Sequence, residues 1–487
     1  MKDRRVWIIL LVALGLRMVL LHCAFTDCRG ALPPASSKYD SLAFFMGDPR
    51  WSYEDSVARS PDSHVKIVPE IQVPPGYPAL CFAANWVAEQ IPEADDSAYA
   101  DDHNRASRSQ QIVISFQVLV DLHLVLLTFL LGRALAGHTA GLVAELFQAL
   151  SPLAAAASVR LLPDGILAFL LTASVILMIR HFRTGGWVSL LTAGLLVSGA
   201  SYFQPVGLVL AGVMIAVLLF RVKRFRRTAA FAGVVAVCIG PWVMRNVTQA
   251  GYWGFSSFLT DDLYRFSAAE IEARRQGEPV WRIRKHRFEQ EGWLEWGNSK
   301  PKYPDAPCYL SPGGLAGYRW RKTREIIAEH PGDFVDLHMR GNLAFWLPGA
   351  TDVLEVAGLT YGGRATLDIL HRYGLVEATT HYFSDNTGDL VSPWAAPLAG
   401  VMVAVLLIRY LGVLLCGLWR LRPRMTVAGW LCVLLVLAAF LLPGPANHPR
   451  FRVPVEPILS AAAAIGYVGL IERRRRRCDE RRTATVA

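Results

Sequence analysis

Ten long apolar segments constrain the fold of this chain more than any other feature of its sequence. Each is 16–26 residues long, and none shows the alternation that a membrane-spanning strand requires. A helix of about 20 residues crosses the roughly 30 Å of hydrocarbon in a bilayer. The segments are 6–26, 110–132, 139–157, 162–180, 187–202, 206–221, 228–246, 393–418, 425–442 and 455–471. With 53% hydrophobic and 18% charged residues, the chain is predicted to be an all-α polytopic membrane protein with about ten transmembrane helices.

Lysines and arginines predict the orientation of these helices. Basic clusters precede the first segment and follow the fourth, sixth, eighth and tenth, so ten spans place all of them on one side. Both termini, including a basic tail at 472–487, are therefore predicted to be cytoplasmic, most simply at a bacterial inner membrane. The net charge of +10 is then explained by anchoring to anionic lipid, and no nucleic acid partner is needed.

The predicted domains follow from two long outer segments. The organisation is a first span at 1–26, a first outer loop at 27–109, spans two to seven at 110–246, a second outer loop at 247–392, spans eight to ten at 393–471 and the tail. Loops this long usually have a function, so the working surface is expected to face outward. The second loop is predicted to form a small, mostly helical domain. No small-residue cleavage site follows the first segment, which is therefore expected to remain as an anchor.

One apolar stretch, 76–91, is too short and too polar to be counted as a span. It contains Asn85 and Glu89. If it crossed the membrane, the acidic stretch that follows it would be cytoplasmic and the terminal arginines would lie outside. It is therefore predicted to be a juxtamembrane helix lying on the outer surface.

A cationic group lies just before the last span, on the predicted outer side. It consists of His448, Arg450 and Arg452. Charges beside hydrocarbon are costly and usually functional, and guanidinium groups suit a phosphate at headgroup level. Arg245 ends the seventh span on the same side and either snorkels to headgroups or adds to this group. These four residues are predicted to bind the phosphate of a donor, and Glu456, the nearest acid, to orient an arginine.

Acidic residues on the outer side are candidates for a general base. Asp40 begins an amphipathic stretch, 39–46, that is expected to rest on the membrane. Asp164 lies in the short turn before the fourth span, where a carboxylate can also simply cap a helix. Asp40 and Asp164 are the predicted catalytic residues, with Asp27 and Asp48 as weaker candidates.

Sequence patterns for soluble cofactors are absent. The chain has no GxxxxGK[ST], no GxGxxG between a strand and a helix, no HExxH and no convincing metal-ligand spacing. No metal ligand is therefore assigned, and a transferase of this kind would take its donor from the membrane.

Short motifs in a fixed order suggest a family. They are Tyr39-Asp40-Ser41-Leu42-Ala43, Pro74-Pro75-Gly76-Tyr77-Pro78, Ala149-Leu150-Ser151-Pro152, Leu161-Leu162-Pro163-Asp164, Gln204-Pro205, Pro241-Trp242-Val243-Met244-Arg245-Asn246, Asp262-Leu263-Tyr264, His330-Pro331 and Arg450-Phe451-Arg452-Val453-Pro454-Val455-Glu456-Pro457. Together with the topology they resemble membrane glycosyltransferases of GT-C architecture that use polyprenyl-phosphate sugars. The resemblance is to the protein O-mannosyltransferase-like group (glycosyltransferase family 39), with the lipid A aminoarabinose transferases as relatives.

The resemblance implies transfer of a mannose-like hexose or a related sugar, including a pentose, from polyprenyl phosphate to an extracytoplasmic protein, lipid or glycan. A carboxylate deprotonates the acceptor hydroxyl, the arginines stabilise the leaving phosphate, and the anomeric configuration inverts. Relatives differ in their use of metal, so a divalent metal is the one cofactor left open. Such an enzyme serves protein glycosylation or the cell envelope.

The resemblance also assigns supporting residues and shows one departure. Tyr39, Tyr77 and Tyr264 lie in the matching motifs and are expected to support the site. In the family, the catalytic aspartate of the first outer loop usually lies four residues before a tyrosine. If that tyrosine is Tyr39, the position here holds Ala35, so Asp40 or another acid would have to act instead.

Two alternatives remain open from the sequence. A polytopic transporter is favoured by charged residues within spans, namely Asp121, His123 and Glu145. The absence of an internal repeat and the two long outer loops argue against it. The other alternative is a different ligase or polymerase that uses a lipid-linked glycan.

Overall fold

Helices make up most of the chain in the computed structural model. The structure describes residues 3–28, 30–32, 39, 42–43, 52–54, 67–91, 106–291, 311–359, 374, 376–377, 380, 392–420, 426–446 and 448–486. The α-helices are α1 (Arg4–Thr26), α2 (Gly76–Glu89), α3 (Arg108–Ala136), α4 (His138–Ala149), α5 (Pro152–Val159), α6 (Asp164–Thr184), α7 (Trp187–Phe203), α8 (Val206–Val217), α9 (Phe225–Ala250), α10 (Phe258–Asp262), α11 (Ala269–Gln276), α12 (Val280–Gln290), α13 (Pro312–Glu329), α14 (Pro331–Asn342), α15 (Ala350–Val356), α16 (Ala395–Arg420), α17 (Val427–Leu441) and α18 (Glu456–Val486).

Tighter and wider helical turns extend several of these elements. The π-helical turns are Leu218–Val222 after α8 and Leu263–Ala268 after α10, and the 3-10 turns are Leu343–Trp346, Gly444–Ala446 and Pro449–Val455. One small hairpin departs from the predicted all-α fold. Its strands β1 (Ser52–Glu54) and β2 (Ile67–Pro69) pair antiparallel within the first outer loop.

The long apolar helices agree with the predicted membrane character. Six helical segments are long and apolar enough to cross a membrane: α1, α3, α6, α9, α16 and Pro449–Arg475. The bent pair α4–α5 raises this number to seven, and α7, α8 with its π-helical turn, and α17 are shorter apolar helices. Each predicted apolar segment therefore coincides with one of these elements. The chain is an integral membrane protein, and ten crossings stay a prediction.

The bend between α4 and α5 has a local cause. The two helices meet at 56°. Pro152 is the first residue of α5, where its missing N–H costs nothing, and Ser151 caps the new helix by accepting from the backbone N–H of Ala154. A proline there disfavours helical geometry in the preceding residue, so the apolar segment breaks into two helices.

Helix α6 joins the two main apolar cores. Its inner part contributes Leu171 and Met178 to a core that also includes helices α7, α8, α9, α17 and α18. Its beginning contributes Ile166 to a second core with α1, α2, α3, α5, α15 and α16. The first residue of α6, Asp164, therefore lies beside the second core, near the predicted outer loops.

Helix α2 packs sideways on the bundle. Tyr77 and Cys81 are buried against neighbouring elements, whereas Phe82 and Trp86 are 41% and 60% exposed. An apolar exposed face beside a packed one is what a helix lying on a membrane surface requires.

Gly76 is needed where α2 meets α7. A Cβ there would lie 2.6 Å from the carbonyl oxygen of Tyr202, and backbone cannot move aside as a flexible side chain does. We expect Gly76→Ala to lower stability by about 1–3 kcal/mol through overpacking. Thermal unfolding in detergent checks this, with Gly212→Ala as the control because nothing lies within 4 Å of a Cβ at that glycine. Equal melting temperatures for the two variants would contradict the predicted close contact.

A buried ion pair neutralises charges inside two predicted spans. Arg17 in α1 donates to Asp121 in α3 at 2.8 Å, and both side chains are buried. The same guanidinium donates to the carbonyl oxygens of Ala149 and Gln148 at the end of α4, where a cation complements the helix dipole. Asp121 is therefore a structural residue, which removes one of the observations that favoured a transporter.

Candidate functional site

Asp164 is a buried carboxylate with one free oxygen. Gln204, which ends α7, donates to its Oδ1 at 2.7 Å. Its Oδ2 is buried and has no hydrogen-bond partner among the described residues. Pro163 occupies the cap position of α6, and no side chain caps the helix there, so Asp164 does not act as a cap. Because a buried unpaired oxygen is costly, Asp164 is a candidate for direct contact with a ligand.

Arg450 provides the cation of this site. It lies half-buried on the 3-10 turn Pro449–Val455, and its guanidinium contacts the ring of Phe451 at 5.2 Å. Within the described part of the chain, that guanidinium forms no hydrogen bond and no ion pair. It nevertheless interacts electrostatically with Asp164, Tyr39 and Asp262. A guanidinium that interacts with two carboxylates but is bonded to no described group is available to an anionic ligand.

Tyr39 and Tyr77 form one wall of the site. Their rings meet edge to face with centroids 4.9 Å apart. Tyr77 is fully buried and donates to Gln117, so it positions its neighbour. Burial raises the pKa of Tyr39, Asp164 raises it further, and Arg450 opposes the shift. The Tyr39 hydroxyl therefore stays protonated and remains a hydrogen-bond donor.

His448 lies beside Arg450 on the same turn. Its Nδ1 accepts from the backbone N–H of Arg450 at 3.3 Å, and its Nε2 is 3.8 Å from Asp352, which also pairs with Arg160. Burial lowers the pKa of His448; Asp352 opposes the shift and Arg450 adds to it. A neutral imidazole holds the turn in place but adds no charge for a phosphate.

Asp262 is a candidate that sequence reasoning missed as a site residue. Its neighbour Asp261 is held by Arg319 at 2.8 Å and by Ser257, whereas Asp262 forms no hydrogen bond among the described residues. Burial raises the pKa of Asp262 to about 7, and Asp261 adds to this, while Arg450 lowers it. A carboxyl group with a pKa near neutrality is suited to general base catalysis. The signal in the sequence was the acidic pair before Tyr264.

Arg452 has a different environment from Arg450. It is fully buried and donates to Glu456 at 2.5 Å, to the carbonyl oxygens of Phe345 and Leu347, and to the hydroxyl of Tyr410. The same carboxylate of Glu456 also pairs with Arg409 from α16. Glu456 thus orients an arginine, as its predicted role requires, but that arginine is held within the protein.

Two other predicted site residues are held by contacts within the protein, and a third lies outside the described residues. Arg245 donates to the carbonyl oxygen of Glu70 and stacks on Trp242, so it ties α9 to the first outer loop. Tyr264 packs against Arg287 in the second outer loop. Asp40 lies outside the described residues, so its placement stays a prediction.

The described residues do not supply a ready metal site. They contain no group of three or more His, Cys, Asp and Glu side chains that could hold a metal ion. Asp164 and Asp262 with Arg450 are instead arranged as two carboxylates near one cation.

The fold and site define a class: a helical membrane protein in which two carboxylates interact electrostatically with an arginine that forms no ion pair among the described residues. Within that class, residues 106–244 match the dolichyl-phosphate-mannose-protein mannosyltransferase family. This match covers less than a third of the chain, and its description agrees with the resemblance to glycosyltransferases of GT-C architecture. No curated protein sequence matches the chain.

The fold is shared, at low sequence identity, with an archaeal oligosaccharyltransferase. The oligosaccharyltransferase of Archaeoglobus fulgidus in its apo form is 13% identical with a TM-score of 0.50, over 94% of this chain and 50% of that one. The archaeal oligosaccharyltransferase AglB from Archaeoglobus fulgidus, in complex with an inhibitory peptide and a dolichol-phosphate, is 11% identical with a TM-score of 0.49, over 97% of this chain and 51% of that one. ArnT from Cupriavidus metallidurans bound to undecaprenyl phosphate is 12% identical with a TM-score of 0.41, over 96% of this chain and 79% of that one. The chain spans about half the length of the archaeal enzyme.

Proposed function

We propose that this protein transfers a sugar from a polyprenyl-phosphate donor to an acceptor at the outer face of the membrane. The observation that carries the proposal is the guanidinium of Arg450, which is bonded to no described group but interacts with Asp164 and Asp262. A phosphate needs a cation that the protein has not neutralised, and an acceptor hydroxyl needs a carboxylate. The family match over 106–244 supports the same chemistry.

The proposed mechanism is a single inverting displacement. The acceptor hydroxyl attacks the anomeric carbon and loses its proton to a carboxylate, while the bond to polyprenyl phosphate breaks. Arg450 stabilises the charge that grows on the leaving phosphate, and the protonated hydroxyl of Tyr39 can donate a further hydrogen bond. The donor sugar is proposed to be a mannose-like hexose or a related sugar, and the acceptor a protein, lipid or glycan.

Asp262 is the proposed base among the described residues. It is less buried than Asp164, and its pKa of about 7 allows it to accept a proton near neutral pH. Asp164, fixed by Gln204, is proposed to bind a sugar hydroxyl through its free Oδ2. Asp40 remains the base that the sequence predicts. Asn variants of Asp40, Asp164 and Asp262 distinguish the three candidates.

The one-sided distribution of basic residues supports the proposed topology. Ten crossings would place both termini in the cytoplasm of a bacterial inner membrane and the site at the outer surface. The site lies at the beginning of α6, whose far end carries Arg183. This polarity supports the placement of the site on the side opposite the basic loops.

One observation favours transport as a second candidate function. Glu145 in α4 is fully buried, and neither of its carboxylate oxygens has a hydrogen-bond partner among the described residues. Unpaired acids inside spans are typical of ion and solute pathways. Solute uptake into vesicles that fails in Glu145→Gln but not in Arg450→Ala would favour transport.

The direct test is an assay of donor cleavage. The purified protein is incubated with a panel of polyprenyl-phosphate sugars and candidate acceptors, and released polyprenyl phosphate is measured. We expect release that depends on one sugar and on an acceptor. No release with any member of the panel, from protein that unfolds cooperatively, would count against the proposed function.

Arg450→Ala is expected to weaken donor binding by about 10- to 150-fold, because a charge-assisted contact to phosphate contributes roughly 1.5–3 kcal/mol. Arg450→Lys should recover only part of the affinity, since a point charge replaces the planar fork. Titration with a labelled polyprenyl-phosphate sugar measures both values. Arg340→Ala is the control, because that arginine is exposed and pairs with Asp336. Donor affinity unchanged in Arg450→Ala would exclude it as the phosphate ligand.

A further inference from the structure

A second basic site lies at the other end of α6. A half-open cavity of about 460 Å³ is lined by the last turn of α6, the π-helical turn after α8 and the beginnings of α9 and α17. The cations that line it are Arg183, Arg224 and Arg227, together with His181. Because α6 has 21 residues and rises about 1.5 Å per residue, this cavity is about 30 Å from Asp164. It is therefore separate from the proposed donor site.

No carboxylate of the surrounding segments neutralises these cations. The sequence contains no Asp or Glu in 122–144, in 165–260 or in 390–455, and these ranges include every helix end that meets the cavity. In the part of the chain that the structure describes, the guanidinium groups of Arg224 and Arg227 form no ion pair and no hydrogen bond, and that of Arg227 lies 5.9 Å from the ring centroid of Trp187. A cavity lined by cations without counter-charges is a site for an anion from outside the chain.

Two residues in the left-handed conformation shape the cavity. Gly185 ends α6 in the left-handed conformation at φ +69°. A Cβ on that glycine would lie 3.2 Å from a terminal nitrogen of Arg227, so the absence of a side chain admits the guanidinium. Lys223 is also left-handed, at φ +55°, and this turn brings Arg224 towards the same cavity.

A buried imidazole supplies an independent sign of a ligand. His181 is 1% exposed and lines the cavity. Its Nδ1 lies 2.9 Å from the carbonyl oxygen of Gly186, so that nitrogen must carry the proton and donate. Its Nε2 is buried without a hydrogen-bond partner among the described residues. A buried polar atom without a partner is costly unless a ligand satisfies it.

We propose that this cavity binds a phosphate group, with Arg224 and Arg227 as its cationic ligands and Nε2 of His181 as a further polar contact. Two guanidinium groups suit the several oxygens of one phosphate, and an imidazole nitrogen can accept from a protonated oxygen or donate when it is itself protonated. The phosphate can belong to an anionic lipid headgroup or be free in solution. A phosphate from either source would link helices α6, α9 and α17 at this cavity.

Arginine labelling of the unmodified protein tests the site without any risk to folding. A dicarbonyl reagent is applied to the full chain, and modification is read at each arginine by mass spectrometry. One arm adds inorganic phosphate to delipidated protein in detergent, and the other compares phosphatidylcholine nanodiscs with and without phosphatidylglycerol. We expect Arg224 and Arg227 to be protected in at least one arm, and Arg180 and Arg226, which are exposed and do not line the cavity, to react as before.

The two arms distinguish the source of the phosphate. Protection by phosphatidylglycerol alone identifies a lipid headgroup, and protection by inorganic phosphate alone identifies a free anion. Equal protection of all four arginines would show only general attraction to anions and would overturn the proposal. Absence of protection in both arms would overturn it as well.

A matched pair of double variants gives a second measurement. Arg224→Gln with Arg227→Gln should weaken phosphate or lipid binding by about tenfold or more, since charge-assisted contacts are lost. Arg180→Gln with Arg226→Gln removes the same charge from the same face and should change binding little. Equal losses in the two double variants would contradict a defined site. The readout is binding measured by native mass spectrometry or by titration, so it does not depend on the proposed sugar transfer.

Discussion

Asp262→Asn is expected to lower the turnover of sugar transfer by about 10²- to 10⁴-fold, the usual contribution of a general base, while donor binding changes little. The carboxyl group is half-buried, has no hydrogen bond among the described residues and lies in the field of Arg450. An amide has nearly the same shape but cannot accept the proton. Single-turnover rates with bound donor measure the effect apart from binding.

The pH dependence of the rate gives a second measure of the same residue. Burial raises the pKa of Asp262 from 3.8 to about 7, so the ionised, active form appears as the pH rises through about 7. The rate should therefore increase with pH and level off above that value. Because the folded protein holds this proton more tightly than the unfolded chain, the contribution of Asp262 to stability decreases as the pH rises from 3.8 to about 7.

Other acids serve as comparisons. Asp336→Asn is the matched control, because Asp336 is exposed in the same outer loop and pairs with Arg274 and Arg340. Normal turnover in Asp262→Asn would pass the base role to Asp40 or Asp164. Normal turnover in all three Asn variants would argue against carboxylate-assisted transfer altogether.

Glu456→Gln is expected to reduce the free energy of unfolding by about 3–5 kcal/mol, the cost of leaving buried cations without their counter-charge. Glu456 is fully buried and is shared by Arg409 and Arg452, which are themselves buried, and Ser151 donates to it at 3.0 Å. Thermal or denaturant unfolding in detergent measures the loss. Glu472→Gln is the control, because Glu472 is exposed on the same helix.

The three buried charges of Arg409, Glu456 and Arg452 also allow a test by replacement. Substituting Arg409, Glu456 and Arg452 together by Met, Leu and Met removes all three charges and should restore much of the stability, since apolar groups can replace a buried ion cluster at little cost. A triple variant as unstable as Glu456→Gln would show that packing rather than unpaired charge explains the loss. By the same reasoning, Arg452→Ala should mainly lower stability, whereas Arg450→Ala should mainly lower donor affinity.

Much of the fold could be predicted from the sequence because hydrophobic length is a local property. Twenty consecutive apolar residues must cross or line a membrane whatever their neighbours, and each of the predicted segments is helical. The structure places Asp164 at the beginning of α6 and Arg450 on a 3-10 turn, as the motifs predicted. The bend at 149–152 can likewise be explained by Ser151 and Pro152, because capping by Ser151 and the backbone restriction imposed by Pro152 are local effects.

Only the tertiary structure decided which charges are free. Arg450 and Arg452 are two residues apart and equally basic, but Arg452 meets the carbonyl oxygen of Phe345 and the hydroxyl of Tyr410, contacts that no local pattern encodes. In the same way, Arg319 holds Asp261 and leaves Asp262 available, from 58 residues away along the chain. The sequence by itself determined which segments are helical and where charge accumulates. Which charges are neutralised depends on partners that folding brings together from distant positions, because an ionic contact acts over a few ångströms of space and not over a distance in sequence.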